Sequence, residues 1–380
     1  MREVVIVEAA RAPIGKRDGK LSSMLPVHLA ARVLKELTCR GGVDAALVED
    51  VVLGCVTPLG DQGANIARLA VLQAGFPVHV PAVTLNRMCG SGQQAIHFGA
   101  QEILSGDMEV VVAGGIEMMS RVPLGADWPG QWAADFPFPL VHQGLSAEMM
   151  AENWQLGRDE LDRYSFDSHV KAAAATRRGD FAREIVPIEV TPPDGTHETV
   201  TADEGIRFEP DLARMSKLAP VFKSDGVITA ANSSQISDGA AAVLLMSAEK
   251  ARALGLKPRA RIVTRVVVGS DPVLMLSGPI PATRRALDRA GLRIADMDAI
   301  EINEAFASVV LAWQKELEPD PARVNPNGGA IAMGHPLGAS GAVLMTKLLH
   351  HLERAAGRYG LQTMCIGHGM ATATIIERLW

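Results

Sequence analysis

The chain has 380 residues, enough to bury a large core, and length alone suggests two or three domains. Hydrophobic residues make up 48% and charged residues 21%, which is the profile of a folded chain and excludes wholesale disorder. The net charge of −6 excludes an overall electrostatic case for a nucleic-acid or acidic-membrane partner, so an anionic ligand needs a local basic patch.

Cysteines at 39, 55, 89 and 365 form no CxxC pair and no metal-ligand spacing, so free thiols, no metal and a reducing, cytoplasmic setting are expected. The opening MREVVIVEAARAPIG lacks an apolar run long enough for a signal peptide. Two uncharged runs, 69–86 and 324–346, contain Pro, Gly and polar residues, so no membrane span is expected.

In chain order, short apolar runs predict strands over 4–7, 50–55, 110–113, 240–246, 260–268, 299–302 and 372–377. Amphipathic stretches predict helices over 27–37, 90–105, 158–178, 247–254, 280–290, 305–316 and 338–354. The alternation is that of an α/β fold, and the solid Val/Ile runs predict strands buried on both faces.

A weak internal repeat organises these elements. VTLNRMCGSGQQAIHFGAQEI at 83–103 reads as an extended piece, a Gly-rich turn and a helix, followed by a strand ending in glycines in DMEVVVAGGIEMMS. The order recurs in GGAIAMGHPLGASGAVLMTKLLHHL at 328–352 and in LQTMCIGHGMATATIIERL, where a glycine-containing turn lies beside a strand. Packing two such halves together brings their Gly-rich turns to one place. Between them, WPGQWAADFPFPL is aromatic and Pro-rich, and TPPDGTHETVTADEGIRFEPD is polar and loop-like. The stretch 119–230 therefore reads as an inserted subdomain and a candidate substrate-binding flap.

Four segments carry candidate chemistry. In NRMCGSG at 86–92, Cys89 stands at a helix start, where the helix dipole lowers a thiol pKa and small neighbours admit a bulky substrate. Burial as a small hydrophobe is the alternative for a lone cysteine. In GHPLGASG at 334–341, Pro336 holds His335 in extended geometry ahead of a helix, where the ring can take a thiol proton or hydrogen-bond an oxyanion. Asn303 in NEAF is either a helix N-cap or an amide that holds water or ligand. In CIGHG, Cys365 lies beside a turn whose backbone N–H groups are free to bind an oxyanion.

Together these segments resemble the thiolase family along essentially the whole chain. ARAPIGK at 10–16, QGANIAR at 62–68, GGIEMMS at 114–120, AANSSQISDGAAA at 230–242 and GPIPAT at 278–283 are further thiolase-like signatures. Ketosynthases share the fold, but carry an HGT-type turn where this chain has NEAF. The resemblance implies a five-layer α/β/α/β/α duplication with an inserted loop subdomain. Its halves would be 1–118 plus 231–250 and 251–380, with 119–230 inserted, in a homodimer or homotetramer.

It further implies an acyl transfer between coenzyme A thioesters, which are substrates, with no cofactor. By resemblance, Cys89 is the acylated nucleophile and His335 activates it, forming one oxyanion hole with a water held by Asn303. Cys365 exchanges a proton with the substrate α-carbon or the departing thiol, and the N–H groups of Cys89 and Gly367 form a second oxyanion hole. Ser234 matches a position contacting the pantetheine arm, Met275 and Phe306 line the acyl pocket, and His142 sits in a loop over it.

Three departures stand out. The family's terminal motif usually runs CxGGGxG, whereas His368 and Ala371 replace glycines here. Gln143 stands where acetoacetyl-specific members carry Met, and Leu276 where they often have Gly, which points to a longer or bulkier 3-ketoacyl chain. Other readings remain: a condensing or acyl-transfer enzyme altered by the CIGHG turn, or a non-catalytic acyl-CoA-binding subunit.

Overall fold

The computed structural model describes residues 2–191 and 195–380, so the loop reading over 192–194 lies outside the described residues. The chain opens with β1 (Val4–Arg11), β2 (Gly15–Lys16), α1 (Pro26–Gly41), β3 (Asp50–Gly54), α2 (Ile66–Gln73), β4 (Val83–Leu85), α3 (Ser91–Ser105) and β5 (Val110–Met118). Next come α4 (Gln143–Asn153), α5 (Arg158–Arg178), β6 (Ile188–Val190), β7 (Glu198–Val200) and α6 (Leu212–Met215), and then β8 (Ser237–Ser247) and α7 (Ala248–Ala253). The remainder holds β9 (Ala260–Gly269), α8 (Pro279–Ala290), β10 (Ala299–Ile302), α9 (Ala307–Leu317), α10 (Ala330–Met333), α11 (Leu337–Arg354), β11 (Tyr359–Ile366) and β12 (Met370–Arg378).

The strands join into one mixed sheet in the order β10-β11-β12-β9-β1-β8-β5-β3-β4, with β2 beside β8. A short antiparallel seam, Val5 opposite Arg261 and Ile6 opposite Ala260, links β1 to β9. From that seam the same pairing runs outward on both sides. On one side β1–β8 and β8–β5 are antiparallel, then β5–β3 and β3–β4 parallel. On the other, β9–β12 and β12–β11 are antiparallel, β11–β10 parallel, and a parallel bridge joins Ile300 to Val324. Parallel neighbours require helical crossovers, and α3 and α11 supply equivalent ones.

Both faces of the central strands are covered, as their solid apolar runs require. Along β8, Ala240, Ala242, Leu244 and Met246 enter one core with α1 and α2, while Ala241, Val243 and Leu245 enter another with α3 and α11. The outer face of the second half packs on α8 and α9 through Val266, Ala286, Leu287, Trp313 and Ile375. The layers are thus α1/α2, sheet, α3/α11, sheet, α8/α9.

Glycine sets how closely the central helices approach. A Cβ on Gly341 would lie 2.0 Å from the Gln93 nitrogen, and one on Gly92 2.7 Å from the Gly338 carbonyl oxygen. This contact brings the N-termini of α3 and α11 together at the carboxyl ends of the parallel strands, where open α/β sheets bind ligands.

Several elements differ from the sequence reading. The strand expected to stop before its glycines runs through Gly114 and Gly115 to Met118. Those glycines permit close approach and do not form a turn: a Cβ on Gly115 would lie 1.9 Å from the Gly338 oxygen. The CIGHG segment is the turn of a hairpin between β11 and β12, with Ile366 opposite Met370. The inserted stretch carries the expected helix as α5 and, beyond the sequence reading, α4 and the small β6–β7 ribbon; α4 packs on α9, and α5 on α9 and α10. Among the described residues, no helix is long and apolar enough to cross a membrane.

Candidate active site

Cys89 sits in a tight elbow between β4 and α3. Met88 adopts φ 45°, an uncommon backbone for a side-chain-bearing residue. The elbow is held by the Asn86 Oδ1 accepting the Met88 N–H (2.7 Å) and by the Ser91 hydroxyl donating to the Met88 carbonyl (2.6 Å). Ser91 Oγ also accepts the Arg87 N–H at 2.9 Å. Cys89 is buried among Val56, Met119, Leu337 and Met88.

The helix begins at Ser91, after Cys89, and the expected fall in thiol pKa is overturned. Burial pushes the Cys89 thiol up and Glu117 adds to the rise, while hydrogen bonds from the Gln143 amide, the Gly367 N–H and its own N–H pull it back. Desolvation outweighs the donors because an anion there has no cationic partner.

Cys365 ends β11 opposite Ala371 and is buried. Burial pushes this thiol up as well, and the neighbouring Cys89 raises it further. A Cβ on Gly367 would meet Met88 Cε at 3.3 Å and Gln143 Nε2 at 3.5 Å, which places that glycine between the nucleophile elbow and the start of α4. His368 takes φ 63°, the left-handed region that glycine favours. Its exposed ring meets Trp132 edge-on, with centroids 6.1 Å apart.

His335 follows Gly334 (φ 116°), where a Cβ would lie 2.0 Å from Ser237 Oγ. The His335 N–H donates to the Gln235 carbonyl at 3.1 Å and lies 3.2 Å from Ser237 Oγ. Ser340 Oγ donates to the Pro336 carbonyl at 2.9 Å and so accepts from His335 Nδ1 at 2.6 Å. That assigns the ring proton to Nδ1 and leaves Nε2 as the basic nitrogen, an acceptor. Burial pushes the His335 pKa down to about 4, so the ring is neutral.

Asn303 is not a helix cap. The N-terminal flank of α9 is Phe306, which makes no side-chain cap bond. The Asn303 N–H donates to the Thr363 carbonyl at 3.0 Å, and its Nδ2 approaches His335 Nε2 at 3.3 Å. Its buried Oδ1 has no hydrogen-bond partner, which leaves an acceptor turned into the site.

Sequence reasoning quoted Glu117 within GGIEMMS but gave it no role. The Glu117 carboxylate accepts the N–H groups of Val56 (2.7 Å), Thr57 (3.2 Å) and Gly338 (2.9 Å), and Gln62 Nε2 at 2.8 Å. It therefore ties the first turn of α11, just after His335, to the loop after β3. An acidic residue inside an apolar strand was the available signal.

The pocket residues divide. Met275, Leu276, Phe306 and Cys365 share one apolar cluster with Met150 and Ile331. His142 lies outside it as the N-cap of α4, its Nδ1 accepting the Gly144 N–H at 3.0 Å. Its ring stacks on Phe222 at 5.1 Å, and Phe222 meets Phe306 at 6.1 Å. Ser234 is half-buried, and its N–H donates to the Ala305 carbonyl at 2.9 Å, beside Phe306.

The fold brings Cys89, Cys365 and Gly367 into mutual reach, places Leu337, two residues from His335, against Cys89, and sets Asn303 on His335. The thiolase N-terminal domain matches residues 4–249 and the thiolase C-terminal domain residues 256–378. A steroid 3-ketoacyl-CoA thiolase of Mycobacterium tuberculosis is 49% identical over 393 residues, spanning 100% of this chain and 95% of that protein. An acetyl-CoA acetyltransferase of Pseudomonas aeruginosa is 46% identical over the full length of both chains. The crystal structure of the Bacillus anthracis acetyl-CoA acetyltransferase superposes with a TM-score of 0.94 at 39% identity, covering 100% of this chain and 99% of that one. Fold and matches define an α/β acyltransferase. The chain belongs to the thiolase family.

Proposed function

We propose that this chain cleaves 3-ketoacyl-CoA with coenzyme A, or runs the reverse condensation, through an acyl group held on Cys89. The reading is carried by buried Cys89 lying beside Cys365 and Gly367 in a chain that matches both thiolase domains. A neutral His335, its basic nitrogen Nε2 unprotonated, takes the Cys89 proton as the sulfur attacks the 3-keto carbon. The N–H groups of Cys89 and Gly367 are donors for one tetrahedral oxygen, and His335 with an Asn303-held water serves another. As the C2–C3 bond breaks, Cys365 gives its proton to the acetyl-CoA carbanion. The resulting thiolate takes the proton of incoming coenzyme A, whose sulfur displaces Cys89, and Cys89 regains its proton from His335.

In the same reading Ser234 borders the pantetheine arm, Met275 and Phe306 line the acyl pocket, and His142 lies over it. Gln143 and the fully buried Leu276 support an acyl group other than acetoacetyl. The Mycobacterium tuberculosis relative, named for steroid 3-ketoacyl-CoA, supports a bulky one. Coenzyme A thioesters are substrates in this reading. Four free cysteines support a reducing, cytoplasmic setting. A homodimer or homotetramer is supported by the edge strand β4, where Val83 is exposed (46%), and by α2 and the loop after it, where Leu69 (42%), Leu72 (43%) and Val78 (80%) are exposed.

Supplying coenzyme A and 3-ketoacyl-CoAs of graded length and bulk tests this reading. The expected products are acetyl-CoA and the shortened acyl-CoA, with the best rates beyond acetoacetyl-CoA. Absence of product from every substrate, with Cys89 unmodified, refutes it.

A further inference from the structure

The 3.3 Å approach of Asn303 to His335 depends on where two turns lie, one after β10 and one around α10. The residue after Asn303 joins them. The Glu304 carboxylate is buried, and each of its oxygens accepts two donors. Oε1 takes the Tyr164 hydroxyl at 2.8 Å and Asn325 Nδ2 at 3.0 Å, while Oε2 takes the Ser168 hydroxyl at 2.8 Å and the Ile331 N–H at 3.0 Å. Burial of its hydroxyl pushes the Tyr164 pKa up and the Glu304 charge adds to the rise, so that O–H remains a donor. Ser168 Oγ also accepts the Gly329 N–H at 3.1 Å, and a Cβ on Gly329 would lie 2.4 Å from Glu304 Cδ.

These partners reach both sides of the pair. Ile331 stands in the first turn of α10, whose last residue, Met333, is two ahead of His335. Asn325 brackets Asn303 from the strand side, its Oδ1 accepting the Ile302 N–H and its Nδ2 donating to the Ile302 carbonyl, both at 2.9 Å. Tyr164 and Ser168 lie on α5, a 21-residue helix that backs the carboxylate.

We propose that Glu304 is a positioning residue for acyl transfer: its carboxylate sets the Asn303 amide against the His335 ring by pinning the turn after β10 to α10 and α5. The proposal rests on the reading of Asn303 and His335 as groups that serve a tetrahedral oxygen, and Glu304 acts through them. A carboxylate suits the place because all four partners point hydrogens at it, whereas an amide turns an NH2 toward two of them. The Ile331 N–H is backbone and has no way to accept instead.

The test is a double-mutant cycle on kcat with wild type, Glu304→Gln, Asn303→Ala and the double variant, using a 3-ketoacyl-CoA and coenzyme A, with urea midpoints recorded. In Glu304→Gln a small displacement of Asn303 lowers kcat about tenfold, with KM within about twofold of wild type. In the Asn303→Ala background the same change lowers kcat by about threefold or less, because the amide that it positions is gone. Tyr164→Phe removes one donor and keeps the charge; it lowers kcat about threefold with the same coupling, and carries the cycle where Glu304→Gln does not fold. Falls that multiply in full in the double variant overturn the proposal and leave Glu304 a structural group, as does a Glu304→Gln enzyme with unchanged kcat. A wild type without turnover, or Asn303→Ala with wild-type kcat, would instead strike the reading of the site and the proposal with it, so the two failures are separable.

Discussion

Asn303 Nδ2 and His335 Nε2 lie 3.3 Å apart, although the two residues come from different elements, the end of β10 and the turn before α11. The ring is held from the other side by Ser340 at 2.6 Å. A neutral imidazole whose Nδ1 proton is held by Ser340 keeps its orientation, and protonation at Nε2 requires the Asn303 amide to turn its unpartnered Oδ1 toward the ring.

Replacing Asn303 with Ala removes the amide that faces the ring and any water it holds. The expected result is a fall in kcat of about 10²-fold, the usual cost of one lost donor, with KM little changed and the fold intact. Steady-state kinetics with a 3-ketoacyl-CoA and coenzyme A measure it. A fall confined to the melting temperature would make Asn303 structural.

Burial holds His335 neutral down to about pH 4. A base whose folded pKa lies below its ordinary value stays active as pH drops through that ordinary value. The kcat/KM profile should therefore stay level from about pH 7.5 to about pH 5, with an acid limb only below. An acid limb centred near the ordinary histidine value contradicts a buried, neutral His335.

Gly341→Ala would set a methyl 2.0 Å from the Gln93 nitrogen, and both neighbours are helix backbone that cannot rotate away. Separation of α3 from α11 should destabilise the protein by about 3 kcal/mol, read as a lowered urea midpoint. Unchanged stability would mean that the two helices tolerate a wider spacing.

Glu117→Gln replaces an acceptor of three backbone N–H groups and the Gln62 amide by a group that must turn an NH2 toward some of them. The expected loss is about 2 kcal/mol of stability, with a fall in kcat as the turn that holds His335 shifts. Denaturation and kinetics on the same preparation check both effects.

Much of this architecture was legible in the residues. Val/Ile runs without alternation predicted strands covered on both faces, and β1, β5 and β8 send alternate side chains into two separate cores. Local pattern failed where tertiary packing decides. Glycine reads as a turn signal, yet Gly114 and Gly115 lie mid-strand because backbone from β8 and from the start of α11 comes against them. Asn303 has the composition of a cap, but its cap position is vacated because α9 starts four residues later, at Ala307. The position of Cys89 just ahead of α3 was legible in the sequence, whereas the depth of its burial was not, and burial decides the direction. His368 stands where the family's motif usually has glycine, and the hairpin turn imposes on it the positive φ that glycine favours. Its contact with Trp132 joins distant segments and left no local trace.

The most direct measurement is mass spectrometry of the protein mixed with an acyl-CoA, followed by mapping of the modified peptide. The account predicts a single acyl adduct on Cys89, absent from Cys89→Ser and retained in Cys365→Ser with release by coenzyme A slowed. An adduct on Cys365, or turnover that survives Cys89→Ser, would contradict it.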